Sequence, residues 1–437
     1  MTVKRVGVLL AFVGSLGLVA WTVGTVPPYP LDGDSYTGIR RLTAYRMIQD
    51  GTMRGSLRLP QGAKLPSSAI QLRLSGVNES FDLTRSTPKD SALQAALERI
   101  VGNRHPSYRV ALVDLTDPVR PRYAAIRADQ GYIPGSVGKL VVLTGLFNEL
   151  RQRFPSDTAA RAALLRETMV AADRWVIPNS HEVPVVNDAM TGVTHRAIRV
   201  GDTFSLWEWV DHMVSPSSNA AGSMVWKQAM LLDAFGPAYP VPVAREDSFF
   251  AATPKPALTD RAISVVETPL LAAGIDTAGL RNRTMFTNTA QRIVPGRGSH
   301  ATPHELVRWL IKLEQGKLVD AWSSREMKKL LYFTRRRYRY ASSPALADAA
   351  VYFKSGSLYQ CQPEAGYTCG KYRGNKMNLM HSVAIVESPA VPKPGETQLF
   401  YVISMMSDKP KVNSAAEHQE IATQIERLLR SQHSVAP

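Results

Sequence analysis

The chain has 437 residues, 44% of them hydrophobic and 20% charged. That balance excludes a disordered or collagen-like chain, and the length holds one large domain or two ordinary ones with a substantial core. A formal charge of +15 favours anionic neighbours such as nucleic acid, acidic lipid or a polyanionic cell wall.

Lys4 and Arg5 precede a run without charge, Val6 to Val26, which stops at Pro27. A run of that length can cross a bilayer with its basic flank inside; the alternative is a cleaved signal peptide. Both readings export the rest of the chain, into the periplasm or to the cell exterior, with the membrane as a partner if the segment stays. The expected division is therefore an anchor or signal over 1–26, a membrane-proximal segment without assigned role over 27–87, and one domain over 88–432. In the membrane-proximal part, Thr37 to Gly51 is predicted helical and Ala69 to Leu74 alternates like a strand.

Thr87 is the expected cap of a helix, with Pro88 in its first turn and Leu93, Ala96, Leu97, Ile100 and Val101 on one apolar face. Two strands follow, Tyr108 to Leu115 and Arg122 to Ala128, joined through Asp117 and Pro118. Pro134 and Gly135 then stop the extended run. A helix is predicted from Ser136 up to Pro155, and another over about 156–175. Ser205 with Glu208, and Thr302 with Glu305, have capping-box spacing. Three strands close the chain, Ala349 to Tyr359, Asn378 to Glu387 and Gln398 to Ser407, before a last helix from Ser414. The sheet must be assembled from both ends of the chain, with helices between, and its last three strands are antiparallel. The fold class is α/β (α+β): an antiparallel sheet flanked by helices, with an all-helical subdomain.

Ser136 and Lys139 are three apart on a first helical turn, so the amine can reach the hydroxyl. A desolvated lysine among other cations loses its proton near neutral pH and can act as a base. The spacing alone is common: Ser86 to Lys89 repeats it. Two further motifs follow in order, Ser217-Ser218-Asn219 on a loop between helices and Lys354-Ser355-Gly356 on a strand.

With these three motifs in this order the chain resembles the penicillin-recognising serine enzymes, and within them the class A β-lactamase-like branch, over residues 88–432. The resemblance implies a serine acyl-transfer hydrolase acting on β-lactams or on the D-alanyl-D-alanine stem peptides of peptidoglycan. Ser136 would be acylated and Lys139 would accept its proton. Ser217 would pass a proton to the leaving nitrogen with help from Lys354, and Asn219 would orient Lys139 or the substrate amide. Lys354 and Ser355 would bind the substrate carboxylate, and Gly356 would let the substrate backbone lie along the strand. The backbone N–H groups of Ser136 and Ser357 would hold the oxyanion.

One part of the pattern is missing. The class A enzymes carry Glu-x-x-Leu-Asn before the third motif, and its glutamate activates the deacylating water. Asn288 could supply the asparagine, but Thr284 stands where the glutamate would be, and Glu246 and Glu267 lie outside any such motif. The alternative function is therefore a penicillin-binding or peptidoglycan-sensing module with little turnover.

Other features read more plainly. Cys361 and Cys369, the only cysteines, are expected to form one local disulfide in an oxidising compartment. His300, His304 and Glu305 are split by the helix start at Thr302, so no metal is expected, and no cofactor. The run Arg335 to Tyr340 reads as a solvated basic loop, or as the source of one arginine for a substrate carboxylate; nucleic acid is not expected as a partner of an exported chain. Trp207, Trp209 and Trp226 read as core.

Overall fold

The computed structural model describes residues 31–57, 65–179 and 181–433. The uncharged run of 6–26 lies outside them; among the described residues, no helix is long and apolar enough to cross a membrane.

Five antiparallel strands form the central sheet: β1 (Arg109–Asp114), β2 (Arg122–Ile126), β3 (Ala350–Gln360), β4 (Met377–Ser388) and β5 (Leu399–Asp408). Their order is β2-β1-β5-β4-β3, so the two ends of the chain meet where β1 pairs with β5, Arg109 opposite Met406. Successive side chains point to opposite faces, which splits the apolar content of each strand between two cores. Val110, Leu112, Ile403 and Met405 pack against helices Ser91–Val101 and Ala415–His433 through Leu93, Leu97, Ile421, Ile425 and Leu429. Ala111, Val113, Val402 and Met406 face the larger helical block. That block includes helices Lys139–Arg153, Leu206–Val214, Asn219–Phe235 and Pro303–Glu314. Trp207, Trp209 and Trp226 are buried within it.

Local expectations hold in part. At Ser205 both capping-box bonds are made, whereas at Thr302 only the hydroxyl caps, because Glu305 turns to Arg308 and the Asp276 N–H. The cap of helix Ser91–Val101 is Asp90, not Thr87; Thr87 bonds back to Thr84 instead. Residues 158–167 are helical, but the chain is extended again from Met169 to Ala171.

The predicted strand over 69–74 is absent. That stretch instead turns so that Ile70 and Leu74 enter the main core. The preceding helix, Arg40–Gln49, carries Arg41, fully buried, whose guanidinium donates to both carboxylate oxygens of Asp211 at 2.6 and 2.7 Å. Glu314 accepts from the Arg73 N–H at 2.8 Å. Residues 31–57 and 65–87 thus share a core with the rest instead of preceding it as a separate segment, with Leu31, Ile39, Leu42, Ile70, Leu74 and Leu83 buried in it.

Candidate active site

Pro134 ends the extended chain, and Gly135, at φ +51°, turns it into a short 3₁₀ segment, Gly135–Gly138, that runs into helix Lys139–Arg153. A left-handed φ suits glycine, and so does the space: a Cβ on Gly135 would lie 3.1–3.3 Å from the backbone of Ser357 on β3. Gly356 is just as confined. A Cβ there would stand 2.6 Å from the Pro134 carbonyl, so the missing side chain makes room for the serine loop. Arg339 holds the strand from behind, donating to the carbonyls of Gly356 and His381 at 2.6 and 3.1 Å.

The residues of the three motifs meet at this point. Lys139 Nζ lies 2.9 Å from Ser136 Oγ, 2.8 Å from Asn219 Oδ1 and 2.8 Å from the Ser217 carbonyl. Lys354 Nζ lies 2.8 Å from Ser217 Oγ and 2.9 Å from the Ser355 carbonyl. Ser217 carries a φ of +64°, rare for a side-chain-bearing residue, and this backbone twist turns its carbonyl to one lysine and its hydroxyl to the other. Ser218 does not face the lysines; it caps helix Asn219–Phe235 through the Ala221 N–H.

Both lysines are fully buried, and burial is the first cause that pushes each well below the ordinary lysine value. Cations deepen the shift, Lys354 and Arg336 for Lys139, Arg336 and Arg339 for Lys354. The hydrogen-bond partners of Lys139 are neutral oxygens, so no carboxylate balances its charge. A neutral amine 2.9 Å from a hydroxyl is placed to take its proton. The second copy of the spacing, Ser86 and Lys89, is exposed on the surface with no such surroundings.

Ser136, Ser217 and Asn219 open onto a cavity of about 500 Å³ together with Ser355 and Ser357. Its other walls carry residues that sequence reasoning passed over. Arg336 and Tyr338 belong to the run read as a solvated loop. They line the cavity, Tyr338 with its hydroxyl 2.9 Å from Ser355 Oγ, while Arg339 is buried, so that reading is corrected. Tyr372 reaches the cavity from the hairpin that the Cys361–Cys369 disulfide closes. His181 has a ring nitrogen, Nδ1, without a partner; burial, then Lys139 and Arg336, push it down to about 3, so it is neutral.

Thr284 lines the cavity, as its place in the incomplete motif suggests, but Asn288 is exposed at a helix start. The buried asparagine beside the serine loop is Asn282: its Oδ1 is 2.5 Å from where a Cβ on Gly138 would be. No carboxylate is among the residues lining this cavity. Glu246 is paired with Lys227 at 2.6 Å and Glu267 with Arg283 at 2.7 Å.

Residues 263–430 match the model of the β-lactamase enzyme family, a stretch that includes Lys354 to Gly356. Over that stretch the chain is similar to the β-lactamase enzyme family. Among solved structures, the TLA-3 extended-spectrum β-lactamase shares the fold with a TM-score of 0.52 and 12% identity, over 78% of this chain and 98% of its own. A β-lactamase from Sphaerobacter thermophilus gives 0.49 and 13%, over 79% and 98%. A PBP-A mutant in an acyl-enzyme complex with penicillin G gives 0.48 and 12%, over 79% and 98%. No curated protein matches.

Proposed function

We propose that the chain is a serine acyl-transfer enzyme that forms an ester on Ser136 with β-lactams and with the D-alanyl-D-alanine peptides of the cell wall. The observation that carries this reading is the buried Lys139 amine, 2.9 Å from Ser136 Oγ with only neutral partners. Ser136 Oγ attacks the substrate carbonyl carbon as its proton passes to Lys139 Nζ. The N–H groups of Ser136 and Ser357 hold the oxyanion. The C–N bond then breaks, and the leaving nitrogen takes a proton through Ser217 Oγ, which Lys354 polarises from 2.8 Å. The substrate carboxylate on the leaving side binds at Ser355 and Tyr338 beside Lys354 and Arg336, which makes one arginine of the basic run a substrate contact.

The absence of a lining carboxylate favours slow release of the ester, and so a penicillin-binding or D,D-peptidase activity over rapid β-lactam hydrolysis. The uncharged run of 6–26 and the disulfide support an exported protein, anchored or secreted, with peptidoglycan within reach. A chromogenic cephalosporin gives the test. The expected result is a burst of one equivalent followed by little turnover, with a mass adduct on Ser136 that Ser136→Ala abolishes. Sustained turnover refutes slow release, and an adduct that survives Ser136→Ala refutes the nucleophile.

A further inference from the structure

Cations gather at this cavity without anions to balance them. Lys139 and Lys354 lie beneath it, and Arg336 and Arg297 line its walls. Neither arginine has a hydrogen-bond or carboxylate partner among the described residues. One anion, the carboxylate on the leaving side of the substrate, accounts for the Lys354 end. It does not account for Arg297.

Arg297 stands elsewhere in the cavity. Arg336 is among the cations that depress Lys139, Lys354 and His181, whereas Arg297 sits on the turn with Gly296, Gly298 and Ser299. The turn that presents Arg297 is also fixed on both sides. Thr259 Oγ1 donates to the Pro295 carbonyl at 2.6 Å, and Ser299 Oγ accepts from the Arg283 N–H at 3.0 Å and donates to Thr284 Oγ1 at 3.2 Å. Gly296 packs directly on the Arg283 carbonyl, and Arg283 is itself clamped by Glu267 at 2.7 and 2.8 Å. The guanidinium is therefore exposed on a backbone that does not need ordering when a ligand arrives.

During acylation the leaving group lies toward Ser217 and Lys354. On the acylation reading the acyl part stays on Ser136, and the cavity wall away from Ser217 and Lys354, which carries Thr284, Arg297 and Ser299, is left for it. We propose that Arg297 binds a second anionic group, on the acyl side chain, so that the site selects dianionic acyl donors: a carboxylate on the leaving side and another on the acyl side. Stem peptides with a free side-chain carboxylate and penicillins with an anionic side chain belong to this class. The proposal rests on the acylation reading above.

Benzylpenicillin and carbenicillin differ by one carboxylate on the acyl side chain and form a suitable pair. The quantity to measure is the ratio of their second-order acylation rate constants, carbenicillin over benzylpenicillin, from the Ser136 adduct. Arg297→Ala should lower that ratio by about three- to fivefold, the upper range for one exposed charge pair, and Arg297→Lys should keep most of it. Added salt should lower the ratio in the unaltered protein and not in Arg297→Ala. Arg427→Gln, which removes the same charge from an exposed face of the last helix, should leave the ratio as it was. A ratio that Arg297→Ala leaves within about twofold overturns the inference alone. Failure of both penicillins to label Ser136 overturns the acylation reading, and the inference with it.

Discussion

Gly356→Ala separates the geometry of the site from the stability of the fold. The new methyl carbon would stand 2.6 Å from the Pro134 carbonyl oxygen and 3.1 Å from the Val137 nitrogen. An ordinary carbon–oxygen contact is about 3.3 Å, so about 0.7 Å has to be found. Neither neighbour can rotate away, because both are backbone, and the Pro134 carbonyl closes the 3₁₀ turn with the Val137 N–H at 3.2 Å. The strand cannot yield easily either. Gly356 is in register with His381 on β4, and Arg339 bonds both carbonyls. The serine loop therefore lifts off β3, carrying the Ser136 N–H away from the Ser357 N–H. A displacement near 1 Å costs about 100-fold in rate, while overpacking of this kind costs about 1–3 kcal/mol of stability. Stopped-flow acylation by a fluorescent penicillin, beside urea unfolding of the same protein, measures both. A folded Gly356→Ala protein that acylates within about threefold of the unaltered one refutes the claim that this contact sets the site.

Acylation should rise with pH as Lys139 loses its proton, through a value depressed first by burial and then by Lys354 and Arg336. Arg336→Gln removes one of those cations, so the Lys139 value rises and the acid limb of the rate profile moves to higher pH; an unmoved limb refutes the coupling. The same sign governs stability. Below the ordinary lysine value the unfolded lysines bind protons that the folded ones do not, so their burial costs least at high pH and most as pH falls. Arg41→Ala should lower the unfolding free energy by about 3–5 kcal/mol, seen as a lower urea midpoint, because it strands the fully buried Asp211. The paired replacement of Arg41 by Met and Asp211 by Leu should recover most of that loss, and a single variant as mild as the pair refutes the argument.

The strands and the three motifs were legible because each rests on local rules. Short apolar runs, buried on both faces, mark β1 to β5, and Pro134 with Gly135 marks the turn before Ser136. The environment of each motif was not legible. Ser86 and Ser136 carry the same spacing, and only the burial of Lys139 between Ser217 and Asn219 separates them. The role of Gly356 depends on a loop that is more than 200 residues away in sequence, so no local rule finds it. The run Arg335 to Tyr340 misled for a related reason: its charge suggests solvent, yet Arg339 is buried against strand carbonyls that a guanidinium can satisfy. Residues 31–57 and 65–87 gave little periodicity because they cover the core as turns and short helices.

The pairing of Arg109 with Met406 has a consequence for the order of events during synthesis. β1 leaves the ribosome early with only β2 to pair, and its other edge stays open until β5 has been made. Ser217 and Lys354, 137 residues apart in sequence, cannot meet before β3 docks. Long-range pairing of this kind slows folding and leaves strand edges exposed while it is incomplete. A nascent or prematurely ended chain thus has Ser136 but no assembled acylation site, and covalent labelling by penicillin reports that the last strands have arrived.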